Sequence, residues 1–264
     1  MLENWCDENK KAGRYCPAFF YARRVDERGY SGYNRCPLYD RSEDDKMLDM
    51  EAWMAQFVAM VEATFPNRVW FVGLQGSRAR DEGNEESDLD VVVILDTLTA
   101  EDLADYRVML DALPERALLC GFLSGREELV HWPASELFQF CHDTRPYLGS
   151  LDAVLAQVDE HAVREAVHIG VGNIYHGCVH NMVHETSPAI LRDLYKAARF
   201  VIQAIVYLET GRYVQGYAAL MAAAAPTERA ILVTGKALKE DDAVALGAAS
   251  SQLFCWAQGW LIRS

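Results

Sequence analysis

Gln75-Gly76-Ser77-Arg78, followed eleven residues after the serine by Asp88-Leu89-Asp90 and then Val91-Val92-Val93-Ile94-Leu95, is the stretch on which the fold turns. Strand side chains alternate faces, so Asp88 and Asp90 project to one side and Leu89 to the other. Two adjacent carboxylates repel unless a cation lies between them. Hard cations such as Mg²⁺ take oxygen ligands and keep phosphate oxygens as partners. Upstream, Val69-Trp70-Phe71-Val72-Gly73-Leu74 reads as a buried strand that Gln75-Gly76 interrupts. Gly76 lets the backbone approach a phosphate closely, and Ser77 can open a short helix whose free N–H groups attract anions. A nucleoside triphosphate with its metal ions suits this pairing, and metal-assisted in-line displacement at phosphorus is the chemistry it would support.

Outward from this stretch the chain alternates helix and strand. Met50, Trp53, Met54, Phe57, Val58, Val61 and Phe65 have helical spacing, and Pro66-Asn67 ends that helix. Thr99 with Asp102 forms a capping-box-like start for a helix to about Leu113, stopped by Pro114, and Arg116 to Leu123 is the next strand. From Leu151 onward helical patterning dominates: Glu160 to Glu185, then Ser187-Pro188 opening a helix that runs to Thr210 with Gly211 as its stop. Pro226 and Glu240-Asp241-Asp242 mark later helix starts. The expected class is α+β, with a small mixed-sheet domain at 47–150 followed by an α-helical bundle domain at 151–264.

Residues 1–46 differ in kind. They carry Cys6, Cys16 and Cys36, five tyrosines and no sustained periodicity, and read as a poorly ordered extension with Met47 or Met50 as an alternative start. A zinc site there lacks a fourth ligand. Their charge nets to zero, so the whole −14 falls on residues 47–264. Such a surface repels long nucleic acid and attracts small cations. Seven cysteines without a C-x-x-C pair point to reduced thiols. No apolar run approaches the roughly 20 residues of a membrane span. The N-terminus lacks the order of a secretory signal, so a cytoplasmic location is expected.

The ordered set of strand, Gly-Ser turn, acidic loop, D-x-D and apolar strand resembles the nucleotidyltransferase superfamily typified by DNA polymerase β, over about Val69 to Leu95. Trp132-Pro133-Ala134-Ser135-Glu136-Leu137-Phe138-Gln139-Phe140 looks like a segment of streptomycin/spectinomycin adenylyltransferases. Ala198-Arg199-Phe200 through Thr210-Gly211 is similar to a helix in their C-terminal bundle. The resemblance implies that Gly76 and Ser77 contact the triphosphate of ATP or another NTP. It implies that Asp88 and Asp90 hold Mg²⁺, with two ions expected. It also implies that AMP passes to a hydroxyl of a small-molecule acceptor. The superfamily's usual third acid is absent from Ala117–Leu123, so Glu128 is the first choice for that role.

Three further assignments rest on position. Arg78 and Arg80 either neutralise triphosphate charge or balance the acidic run from Asp81 to Asp90, and Lys196 and Arg199 are placed to reach the nucleotide. His168, His176, His180 and His184 form one helical stripe. H-E-x-x-H is absent, so the stripe reads either as acceptor binding by His176, His180 and His184 or as packing. Two other functions stay open: a protein-modifying nucleotidyltransferase of a toxin–antitoxin pair, and a non-catalytic nucleotide-binding module. Arg164-Glu165-Ala166-Val167-His168 is too short between Arg and His for a HEPN-type toxin. Whether a second subunit completes the cleft also stays open.

Overall fold

The computed structural model describes residues 48–85, 87–240 and 246–263. The expectations for residues 1–46, including the cysteine question, lie outside the described residues, as do Asp241 and Asp242. Helix α1 (Met50–Thr64) leads into strand β1 (Val69–Gln75), the one-turn helix α2 (Gly76–Ala79) and strand β2 (Leu89–Leu95). Helix α3 (Ala100–Asp111), strand β3 (Leu119–Gly125), helices α4 (Arg126–Val130) and α5 (Ala134–Asp143), and strand β4 (Arg145–Leu148) follow. The helical part comprises α6 (Asp152–Leu155), α7 (Glu160–His180), α8 (Pro188–Thr210), α9 (Tyr217–Ala223), α10 (Pro226–Glu240) and α11 (Leu246–Leu261).

The sheet is mixed, in the order β3-β2-β1-β4. β1 pairs antiparallel with both β2 and β4, while β2 and β3 run parallel. A parallel neighbour requires a crossover, and α3 supplies it. Its start is a complete capping box: the Thr99 hydroxyl accepts from the Asp102 N–H, and the Asp102 carboxylate accepts from the Thr99 N–H. Arg68 adds a two-point contact to the same carboxylate at 2.9 and 2.7 Å. That contact pins the crossover helix to the residue before β1. Arg68 and the capping bonds hold the Asp102 carboxyl well below the usual carboxylate range.

Alternation along the strands divides the side chains between two faces. Leu89, Val91, Val93 and Leu95 of β2, with Val72 and Leu74 of β1, pack against Trp53, Met54, Phe57 and Val61 of α1 and Met109 of α3. Asp90, Val92 and Ile94 therefore face the opposite side. There α5 crosses, with Phe140 edge-on to Phe122 of β3 at 5.1 Å. Two residues earlier on α5, Phe138 belongs to a second core, formed by α7, α8, α10 and α11. Helix α5 thus touches the sheet's second face through Phe140 and the bundle core through Phe138, and it couples the two.

Two boundaries differ from the sequence reading. β3 begins at Leu119 rather than Arg116, because turn bonds from Leu118 N–H to the Glu115 carbonyl and from Leu119 N–H to the Arg116 carbonyl hold those residues out of the ladder. β4 was not expected. It is four residues long and contains Pro146, which its edge position accommodates. In the bundle the reading agrees closely. Helix α7 runs from Glu160 and widens to a π-turn over Asn181–Glu185, and Thr186 then turns left-handed at φ 49°. Ser187 caps α8 with Pro188 at its first position, and Gly211 ends it at φ 70°.

Candidate active site

One row of residues crosses three strands at the open end of the sheet: Gln75 of β1 opposite Asp90 of β2, and Asp90 beside Cys120 of β3. The turn directly after Gln75 places Gly76 at φ 75°. Its Cα lies so close to Asp90 that a Cβ would overlap the carboxylate Oδ2. Glycine is required here twice over, by its conformation and by the carboxylate pressed against it. Gln75 is held in turn by donating to the Thr144 hydroxyl at 2.7 Å and the Phe140 carbonyl at 3.2 Å, which locks the strand end to α5.

Asp90 is only partly exposed, and its pKa is raised. Burial is the larger cause and the neighbouring Asp88 the next; Lys196 and Arg80 partly offset them. Asp88 thus repels the Asp90 carboxylate, and Lys196 of α8 attracts it. Among the described residues no group of three or more His, Cys, Asp or Glu side chains could enclose a metal ion. The two aspartates fit a different kind of binding. Mg²⁺ is commonly held by one or two carboxylates and completes its shell with water and substrate phosphate oxygens.

The third acid is where the structure departs most from expectation. The β3 position in register with Asp90 is Cys120, an exposed residue whose thiol pKa is raised by partial burial and by the fields of Asp90 and Asp88. Glu128 does not take that role. It lies beyond the far end of β3, with its carboxylate against the Gly125 Cα, and Gly125 pairs with Leu95. Five residues at about 3.3 Å each put it roughly 16 Å along the sheet from the Asp90 row. Parallel register, invisible in the sequence, is what carries it away.

Arg78 is also corrected. Its guanidinium is turned into the acidic loop, donating to the Ser87 carbonyl at 3.0 Å and the Glu85 carbonyl at 3.4 Å, and the residue is buried. Its donors are thus engaged by backbone carbonyls of that loop. Arg80 is likewise engaged, with Asp143 at 2.5 Å and Glu82 at 3.3 Å.

The histidine stripe lies apart from this row. Val163, Val167, Val171, Ile174 and Cys178 form the packed face of α7, while His168, His176, His180 and His184 occupy the opposite, exposed face. The His180 and His184 rings lie 5.1 Å apart, and His180 is 3.5 Å from Glu185. Among the described residues no hydrogen bond, ion pair or ring contact ties the four to the sheet. The structure thus favours neither acceptor binding nor packing for the stripe, since its face is turned to solvent.

What the sequence reading missed is a polar network where the two cores meet. Glu82 receives both terminal nitrogens of Arg199 from α8, at 2.7 and 3.0 Å. Arg80, stacked over Phe200 at 5.6 Å, bridges Glu82 to Asp143 at the end of α5. Burial opposes ionisation of Glu82, but Arg199 and Arg80 outweigh it and lower its pKa. For Asp143 burial dominates and raises the pKa despite Arg80. Beside it His142 stacks on Tyr213 at 4.4 Å, and burial favours its neutral form.

Comparison with known proteins gives this geometry its context. The sequence profile of the nucleotidyltransferase domain matches residues 57–131, from within α1 to the residue after α4. No curated protein matches the chain. Among solved structures, the spectinomycin adenyltransferase AAD(9) from Enterococcus faecialis, crystallised with ATP and spectinomycin, superposes with a TM-score of 0.50 at 12% identity, covering 79% of this chain and 99% of that one. A nucleotidyltransferase-like protein from Exiguobacterium sibiricum matches with a TM-score of 0.32 at 10% identity, over 80% of this chain and 74% of that one. Residues 57–131 thus match a nucleotidyltransferase domain, and the chain shares its fold with the Enterococcus adenyltransferase.

Proposed function

We propose that this protein transfers AMP from ATP to a hydroxyl group of a small-molecule acceptor and releases pyrophosphate. The observation that carries this reading is the fit between Gly76 and Asp90. A left-handed glycine opens the turn after β1 and presses against a carboxylate that shares its space with Asp88. In this reading the 47–150 part supplies the donor site and the 151–264 part borders the acceptor. Gly76 and Ser77 present backbone N–H groups to the triphosphate, and Lys196 meets its charge from α8. Asp88 and Asp90 would hold Mg²⁺, which when bound supplies charge neutralisation on the phosphate oxygens. The acceptor oxygen forms a bond to the α-phosphorus, the bond to the β-phosphate bridging oxygen breaks, and the hydroxyl proton leaves to a base. Cys120 stands where an acid would be best placed to take that proton, so proton removal is the weak step of this site.

Two observations support a small cationic acceptor. A surface of net charge −14 attracts a small polycation, and the Enterococcus protein was crystallised with spectinomycin. An aminoglycoside-like acceptor and a cytoplasmic location are consistent with both. Incubation with α-labelled ATP and a panel of amino-sugar acceptors tests this, with the expected result a labelled product of small-molecule size. Label appearing only on protein would instead support the protein-modifying alternative. One observation favours a second reading, a nucleotide-binding module without transfer: a thiol, not an acid, lies in register with Asp90. Tight ATP binding with no labelled product from any acceptor would favour that module.

A further inference from the structure

Glu82 is tied to the phosphate turn and to the bundle at once. Its backbone N–H donates to the Ser77 carbonyl at 2.9 Å, so it moves with the turn that follows β1. Its carboxylate accepts both terminal nitrogens of Arg199, the two-point geometry that fixes orientation as well as distance. Arg199 lies one helical turn after Lys196 on α8, so the two side chains share a face. Neither partner is free to swing: the Arg199 side chain is 16% exposed and that of Arg80, which braces Glu82 from the other side, is 7% exposed. Arg80 is itself anchored to Asp143 and lies over Phe200, the residue after Arg199. The whole assembly pairs two cations with two carboxylates, so it holds the two parts together without adding net charge beside Asp90.

We propose that Glu82 and Arg199 are positioning residues for nucleotide binding, a latch that sets the height of Lys196 over the Gly76–Ser77 turn and the Asp90 carboxylate. This rests on the donor-site reading above and deepens it. Without the latch Lys196 is still present, but α8 is no longer referenced to the turn, and the lysine meets the triphosphate less often in the right place. The contact joins residues 117 positions apart, so it acts on the relation between the sheet and the bundle and not on the local fold of either.

A double-mutant cycle on ATP affinity tests this directly, using Glu82→Gln, Lys196→Met and the double variant of the full chain, titrated calorimetrically with Mg²⁺ and ATP. Each single change is expected to weaken binding roughly tenfold, in the range of ordinary coupling between sites. The double variant is expected to bind about as weakly as Lys196→Met alone, because the latch acts through the lysine. Arg199→Lys, which keeps one contact to Glu82, should recover part of the loss seen in Arg199→Met. Fully additive losses, or wild-type affinity in Glu82→Gln with an unchanged melting temperature, would overturn the latch while leaving the donor site standing. Absence of ATP binding in the wild-type protein would overturn both.

Discussion

Replacing Gly76 with alanine is the sharpest probe of the site, because one methyl group meets two independent constraints. The first is conformational. Gly76 sits at φ 75°, where a Cβ costs about 1–2 kcal/mol. For a unit of this size that lowers the melting temperature by about 2–8 °C, at roughly 2–4 °C per kcal/mol. The second is steric and falls on a functional atom. The new Cβ would lie 3.1 Å from the Asp90 Cγ and inside the Oδ2, so the carboxylate must retreat by about 1 Å or more to reach normal contact. A displacement of about 1 Å at a positioned group costs on the order of 100-fold in rate. The expected result is therefore lopsided: a folded protein, slightly less stable, with transfer from α-labelled ATP down about 100-fold. Circular dichroism melts and a single-turnover label assay measure the two quantities on one preparation. A Gly76→Ala variant that keeps transfer within twofold of wild type would refute the reasoning, since Asp90 could then move freely without consequence.

Other perturbations discriminate among the remaining roles. Cys120→Asp places a carboxylate in register with Asp90 and should raise the transfer rate at least tenfold under saturating Mg²⁺ and ATP. An unchanged or lower rate in a folded variant would mean that proton removal is not limited at β3. Asp90→Asn should stabilise the metal-free protein, because the folded pKa of Asp90 lies above its unfolded value and ionisation is penalised in the fold. The sign fixes the pH window: the gain is full above the folded pKa and vanishes as pH falls toward about 4, where the unfolded carboxyl also protonates. Melts that show destabilisation at pH 8 would contradict the crowding of the two carboxylates. Replacing His176, His180 and His184 together with alanine should leave transfer within twofold, as their face of α7 is turned to solvent; a loss above tenfold in the label assay would bring the stripe back into the site.

The parts of the fold that were legible in the sequence are those settled by near neighbours. The continuous apolar runs of Val69–Leu74 and Val91–Leu95 mark the central strands, because both faces of each are buried. Thr99 with Asp102 and Ser187 with Pro188 announce helix starts because the cap satisfies N–H groups within three residues. Asp88, Asp90 and Gly76 were readable for the same reason: their relation is carried by one antiparallel pair of strands and the turn beside it. Where distant chain decides, the sequence was silent or misleading. β4 is a strand because β1 offers it a free edge. Glu128 looked close to the third-acid position in sequence, yet parallel pairing sends it to the opposite end of the sheet. Arg78 read equally as a phosphate contact or as a partner of the acidic loop, and in the fold it donates to the Glu85 and Ser87 carbonyls of that loop. Arg199 was expected to reach the nucleotide, but its pairing with Glu82 carried no local signal, since only the packing of α8 against the sheet brings them together.

The central claim, that Asp88 and Asp90 form the metal-dependent donor site for nucleotidyl transfer, is tested most directly by comparing wild type with the Asp88→Asn/Asp90→Asn variant for pyrophosphate release from ATP, with Mg²⁺ present and with chelator. The account predicts acceptor-dependent release in the wild type, lost on chelation, and at least a 1000-fold loss in a variant that still folds. Equal release by the variant, or release indifferent to chelator, would contradict it.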